Sequence, residues 1–131
     1  MKKALILLNL FLLLSALITV ISCSKSNDAA QNPYQGNWSG NLTGDIEGSW
    51  TAKVSANGSF DGKVITPQSS SDHDFVLAGQ VSANGNLVAT MKNATYNMNL
   101  DFVGNFQNTN CNGTWIYNGA GMQGTWTGTK E

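Results

Sequence analysis

Ser71-Asp72-His73-Asp74 places the single histidine of the chain between two carboxylates. It is the one stretch whose residue types suit acid–base or metal chemistry. A histidine flanked by acids could join an oxygen/nitrogen metal site. The spacing argues against it: neighbours on an extended chain point to alternate sides, so the three groups do not converge on one ion. The preceding Gln68-Ser69-Ser70-Ser71 reads as a solvated loop. A Ser–His–acid triad needs the histidine held by a rigid scaffold, with a nucleophile elbow or oxyanion-type glycine turn, and neither accompanies His73. The expectation is no catalytic residue, no metal site and no cofactor, hence no enzyme.

Two cysteines are the other reactive groups. Cys23 ends a segment laid out as a secretory signal peptide, with Lys2 and Lys3 followed by an apolar run from Ala4 to Ile21 that only Asn9, Ser15 and Thr19 interrupt. At 18 residues the run is at the lower limit for crossing ~30 Å of hydrocarbon. No Lys/Arg cluster follows to stop transfer.

Val20-Ile21-Ser22-Cys23 resembles the lipobox of bacterial lipoproteins: an aliphatic residue, a second apolar one, a small one, then cysteine. The resemblance implies that residues 1–22 are a cleaved lipoprotein signal peptide. Cys23 then becomes the N-terminus, diacylated on sulfur and acylated on its amine. Two or three acyl chains, at ~0.8 kcal/mol per buried CH₂, hold a protein on a membrane without a spanning element. Residues 23–35 follow as lipidated cysteine and polar tether. Within it Ser24 to Pro33, treated as flexible coil, reaches roughly 17 Å. Ser24 replaces the aspartate that retains enterobacterial lipoproteins in the inner membrane. By that analogy the expected address is the outer membrane of a bacterial cell envelope, on its periplasmic or surface face. The membrane, reached through acylated Cys23, is the first expected partner.

With Cys23 acylated, Cys111 has no partner within the chain and no disulfide framework exists. Cys111 falls on the inward parity of an expected strand, where a free cysteine behaves as a small hydrophobe. Beyond residue 22 the chain carries five lysines, no arginine and eight acids, a net −3. Nucleic acid is excluded as a partner, since affinity for that polymer comes mainly from cations neutralising its backbone. With 41% hydrophobic and 9% aromatic residues the chain can build a core. About 109 residues suffice for one domain.

Residues 36–131 must position any site, and their apolar residues recur with period two, the strand signature. The clearest stretch runs from Tyr96 to Phe106, where every even position is apolar or glycine and every odd one except Val103 is polar. The other inward sets are Trp38 and Leu42; Trp50, Ala52 and Val54; Phe60 and Val64; Phe75, Leu77 and Val81; Leu87, Ala89 and Met91; Cys111, Trp115 and Tyr117; Met122 and Trp126. Eight strands result.

Val54-Ser55-Ala56-Asn57-Gly58 recurs as Val81-Ser82-Ala83-Asn84-Gly85, and Asn-Gly between alternations marks a hairpin. A two-residue loop would set Val54 opposite Asp61. A three-residue loop with left-handed Gly58 sets Val54 opposite Phe60, and in the second copy Val81 opposite Leu87, so the three-residue loop is expected. Short connections imply an antiparallel up-and-down meander, and closure into a small all-β barrel removes its exposed edges. Gly40, Gly62, Gly79, Gly104, Gly113, Gly124 and Gly128 all carry inward parity, where they permit sharp coiling and close approach of large indoles. The outward parity is polar (Asn37, Asn41, Lys53, Asp61, Thr125, Thr127), the reverse of a membrane-spanning barrel.

Gly36-Asn37-Trp38, the G-x-W that opens the first strand, and the closing Gly124-Thr125-Trp126-Thr127-Gly128 make this region similar to the calycin barrels: lipocalins, fatty-acid-binding proteins and avidins. The resemblance implies an eight-stranded barrel and, by shape alone, a small apolar ligand held inside. Two sites then stand as candidates. Trp38, Trp50, Phe102, Trp115 and Trp126 by default fill a dry core, and in the alternative line a ligand pocket. Val76, Val88, Val103 and Ile116 break the polar outward parity on four successive strands, and would form a patch for an envelope protein. The expected function is a lipid-anchored, non-enzymatic binding lipoprotein holding a small apolar ligand. Its alternative is a filled-core protein–protein interaction module that works through its outer wall.

Overall fold

The computed structural model describes residues 29–67 and 74–131. Eight strands follow in chain order: β1 (Gly36–Gly44), β2 (Gly48–Val54), β3 (Ser59–Ile65), β4 (Phe75–Val81), β5 (Asn86–Asn93), β6 (Met98–Gln107), β7 (Asn110–Tyr117) and β8 (Met122–Lys130). Each pairs antiparallel with the next, and β1 pairs with β8, so the meander closes into a barrel. The described residues contain no helix. Cys23 and Ser71-Asp72-His73, on which the lipobox and metal-site arguments turn, lie outside the described residues.

Period two sets the register. Val54 opposes Phe60 and Val81 opposes Leu87. Each hairpin turns through three residues, with Gly58 at φ +86° and Gly85 at φ +94°. Those angles lie in the left-handed region that only glycine adopts freely. Both turns close identically: Gly58 N–H donates to Ser55 O and Ser55 N–H to Ser59 O, and Gly85 and Ser82 repeat the pattern on Ser82 and Asn86.

Inward residues form one core from Trp38 and Leu42 around the barrel to Trp115 and Trp126, with all four indoles buried. Three of them follow one rule. Trp50 lies in register with Gly40 and then Gly128 on the next two strands, and its Nε1 donates to Thr127 O at 3.0 Å. Trp126 lies in register with Gly113 and Gly104 and donates to Val103 O at 3.0 Å. Trp115 lies in register with Gly124 and Gly44 and donates to Thr43 O at 3.1 Å. In each row the indole extends over glycines without side chains and reaches the carbonyl just before the second one. The ring's apolar body is buried and its single donor is paired, as burial of an indole requires.

One end of the barrel is sealed by residues expected to be free tether. Asn32 is buried: its backbone N–H donates to Ala56 O, its Nδ2 to Val81 O at 2.8 Å, and its Oδ1 accepts Tyr34 N–H at 2.9 Å. The Tyr34 ring packs edge-on against Phe106 at 5.7 Å, and Tyr34 O accepts Trp38 Nε1. Asn32 and Tyr34 are therefore packed onto the barrel ahead of β1. Asn32 and Tyr34 supply partners that the hairpin ends and Trp38 would otherwise lack.

Candidate functional site

The opposite end is built differently. The β1–β2, β5–β6 and β7–β8 connections and the ends of β3 and β4 meet there, and among the described residues no segment plugs the space between them. Two hydrogen-bonded ties hold this rim. Asp45 Oδ2 accepts Gln123 N–H at 2.9 Å while Asp45 N–H donates to Gln123 O, joining the β1–β2 loop to β8. Asn93, buried at the end of β5, donates from Nδ2 to Asp74 O at 3.0 Å and accepts Tyr96 N–H at 2.9 Å. That second tie also starts the β5–β6 turn, in which Asn97 takes φ +51°. The alternation read from Tyr96 begins two residues late for this reason: β6 starts at Met98, and Tyr96 stands exposed in the turn.

The rim encloses a cavity of about 490 Å³. Its apolar wall consists of Ile46, Pro67, Phe75, Met98 and Met122, with Tyr96 at the edge. Its polar groups are Thr66, Asn93 and the two carboxylates Asp45 and Glu47. Phe75, Met98 and Met122 each open an even-numbered strand on the inward face. They extend the core to the rim: Phe75 is buried within it, and Met98 and Met122 are half-buried against it. A concave, mainly apolar site of this size with a few polar groups at its edge is the usual form of a small-molecule site.

The five expected lining residues do not line it. Trp38, Trp50, Phe102, Trp115 and Trp126 are each 0–1% exposed and none borders the mouth cavity. They are the core. Trp126 stacks on Phe102 with centroids 4.5 Å apart at 14°, Trp50 meets Trp126 edge-on at 5.6 Å, and Trp38 meets Phe106 edge-on at 4.6 Å. The glycine rows let the indoles cross the interior and fill it, so among the described residues the space lies at the mouth. By parity alone Phe75, Met98 and Met122 belong with the core, and Phe75 does. The signal that sets Met98 and Met122 apart is position at a strand's first residue, on the end that no other described segment closes.

On the outer wall, Val88 and Val103 are direct cross-strand partners, 68% and 37% exposed. Ile116 lies on β7 two residues beyond Thr114, the partner of Val103. Val76 stands apart from them. It pairs with Lys63 on one side and Lys92 on the other, four residues along β4 from Gln80, which pairs with Val88. The expected four-strand patch is therefore a group of three, and Val76 is a single valine between two lysines.

Cys111 is buried in the wall, and burial pushes its thiol from 9.0 up to about 12. Desolvation disfavours the thiolate. Asp74, the one described member of the acid–histidine run, sits just before β4 with its carbonyl tied to Asn93. Comparison with known protein families, with curated proteins and with solved structures finds no match to this chain.

Proposed function

We propose that the protein is a lipid-anchored, non-enzymatic binding protein of the bacterial cell envelope, which takes a small apolar ligand in the mouth of its barrel. The observation that carries the reading is the contrast between the two ends. One is sealed by Asn32 and Tyr34, while the other leaves Phe75, Met98 and Met122 around a cavity of about 490 Å³. Exposed apolar surface of that shape is costly to keep in water and gains about 25 cal/mol per Å² when a ligand covers it. The calycin-like opening and closing motifs agree with the reading, with the ligand seated at the mouth and not among the tryptophans. No catalytic step is assigned: Cys111, a strand-borne nucleophile, is held as a neutral thiol inside the wall.

The anchor rests on Lys2-Lys3, the apolar run and Val20-Ile21-Ser22-Cys23. It accords with the fold's polarity. The chain enters the barrel through Asn32 at the sealed end, so a tether from an acylated Cys23 holds that end to the bilayer and the mouth opens away from it. Mass spectrometry of the protein from bacterial membranes tests both halves. The expected N-terminal fragment begins at Cys23 and carries the mass of a diacylglyceryl group, and the native spectrum carries a small co-purified molecule. An unmodified Cys23 removes the anchor. A ligand-free spectrum, with no shift of the Met98 or Met122 methyl signals across a panel of apolar compounds, removes the ligand.

A second reading has its own observation, the exposed Val88–Val103 pair with Ile116 beside it. In it the outer wall of β5–β7 meets another envelope protein. The polar character of the surrounding wall makes these three the natural centre of such a contact.

A further inference from the structure

Charge at the mouth narrows the ligand class, and the inference rests on the mouth being the binding site. Among the described residues that line the cavity, two carry charge, Asp45 and Glu47, and both are negative. Lys63 and Lys92, at this end of β3 and β5, sit on the outward parity beside Val76 and do not border the cavity. Asp45 and Glu47 are exposed at the rim, and the Asp45 carboxylate is oriented there because its Oδ2 accepts Gln123 N–H. It therefore loses little side-chain freedom when a ligand arrives. The surroundings suit a positively charged ligand as well. Tyr96 presents an aromatic ring at the rim, and Met98 and Met122 present polarizable thioethers below it. An apolar chain ending in a carboxylate or sulfate would bring its charge to two acids with no lysine or arginine among the described lining residues.

We propose that the mouth selects a cationic amphiphile, with its apolar chain among Phe75, Met98 and Met122 and its amine or quaternary ammonium at the rim by Asp45 and Glu47. Selection is electrostatic, and so it weakens with salt while binding of the chain itself does not.

The test uses one chain length with three heads: octyltrimethylammonium, octyl glucoside and octyl sulfate, each below its micelle concentration. They are titrated into purified protein labelled with ¹³C at its methionine methyls. Met98 and Met122 report the mouth, and Met91, inside the core, serves as internal reference. The expected result is movement of Met98 and Met122, with the ammonium bound about three- to tenfold tighter than the sulfate at low salt and the glucoside between them. Asp45→Asn with Glu47→Gln is expected to abolish that preference while keeping the octyl chain bound, since the amide introduced at position 45 retains an oxygen for Gln123 N–H. Equal binding of all three heads, or a preference for sulfate, overturns the charge selection and leaves the apolar mouth standing. Failure of every head to move Met98 and Met122 overturns both. The order of preference is read on the unaltered protein, so the test decides even where the double variant folds poorly.

Discussion

Trp126 lies directly over Gly104, two strands away. A methyl group at Gly104 would overlap both Trp126 Cζ2 and Asn112 O. Neither atom can yield easily, because Trp126 is pinned by its bond to Val103 O and its stack on Phe102, and Asn112 O belongs to the backbone of β7. Gly104→Ala is therefore expected to destabilise the barrel by about 1–3 kcal/mol or more, read as a lower urea midpoint at unchanged slope. Gly121, at φ +66° with nothing within 4 Å of its missing Cβ, is the control. Gly121→Asn, a residue that tolerates the left-handed region, should cost less than about 1 kcal/mol.

Cys111 gives a prediction with a definite pH window. Its folded thiol titrates at about 12 against 9.0 when free. Between those values the folded state holds a proton that the unfolded chain has released. The stability this contributes is complete below pH 9 and is lost as pH rises toward 12. The Tm difference between the natural chain and Cys111→Ala should therefore be constant below pH 9 and shrink above it. Taking the difference cancels every pH effect that the two proteins share. At pH 8 only about one folded molecule in ten thousand carries the thiolate. A disulfide reagent should label Cys111 orders of magnitude more slowly in native protein than in urea.

Strand number, order, closure and the three-residue hairpins are all readable from the chain, because each depends on period two. Moving any strand by one residue would put Asp61 or Asp101 inside and Trp50 or Phe102 outside. The parity of the glycines is legible too. What they do is less so. Trp50, Gly40 and Gly128 belong to one row only once register is known, and they are far apart in sequence. The filling of the interior depends on those rows, so sequence alone favours a core for the tryptophans on packing grounds while leaving a pocket open as the alternative. Asn32 and Tyr34 escape for another reason. They cap the barrel through single hydrogen bonds and one ring contact, which leave no periodic pattern. The mouth is set by which end the described residues leave uncapped, a property of how several strand ends come together and not of any one segment.

Asn32 should behave as part of the barrel, not as tether. Its side chain joins Val81 O to Tyr34 N–H, so Asn32→Ala leaves a buried carbonyl and a backbone N–H without their partners. The expected loss is about 1–3 kcal/mol. Amide exchange should quicken at Tyr34, whose N–H loses its acceptor, and at residue 32, whose N–H donates to Ala56 O, while remaining slow in β7. Gln31→Ala, one residue earlier and exposed, should leave stability within about 0.5 kcal/mol. Equal effects at both positions would return residues 32–35 to the tether.

The outer wall separates the two functional readings, because its residues can be charged without touching the mouth. Val88 faces Val103 across β5–β6, and Ile116 faces Asp101 across β6–β7. Val88→Lys gives up a Val–Val contact worth about 0.2–1 kcal/mol, and Ile116→Lys places a cation opposite Asp101 and recovers part of it. The double variant should thus melt within a few degrees of the natural protein, and its Met98 and Met122 signals should still respond to octyltrimethylammonium. An envelope protein cross-linked to β5–β7 in living bacteria would be lost from this variant if the wall is an interface, because two lysine charges would have to be desolvated at its centre. Unchanged cross-links would remove the wall from consideration. Loss of the cross-links together with an intact mouth response would give the protein two independent binding faces.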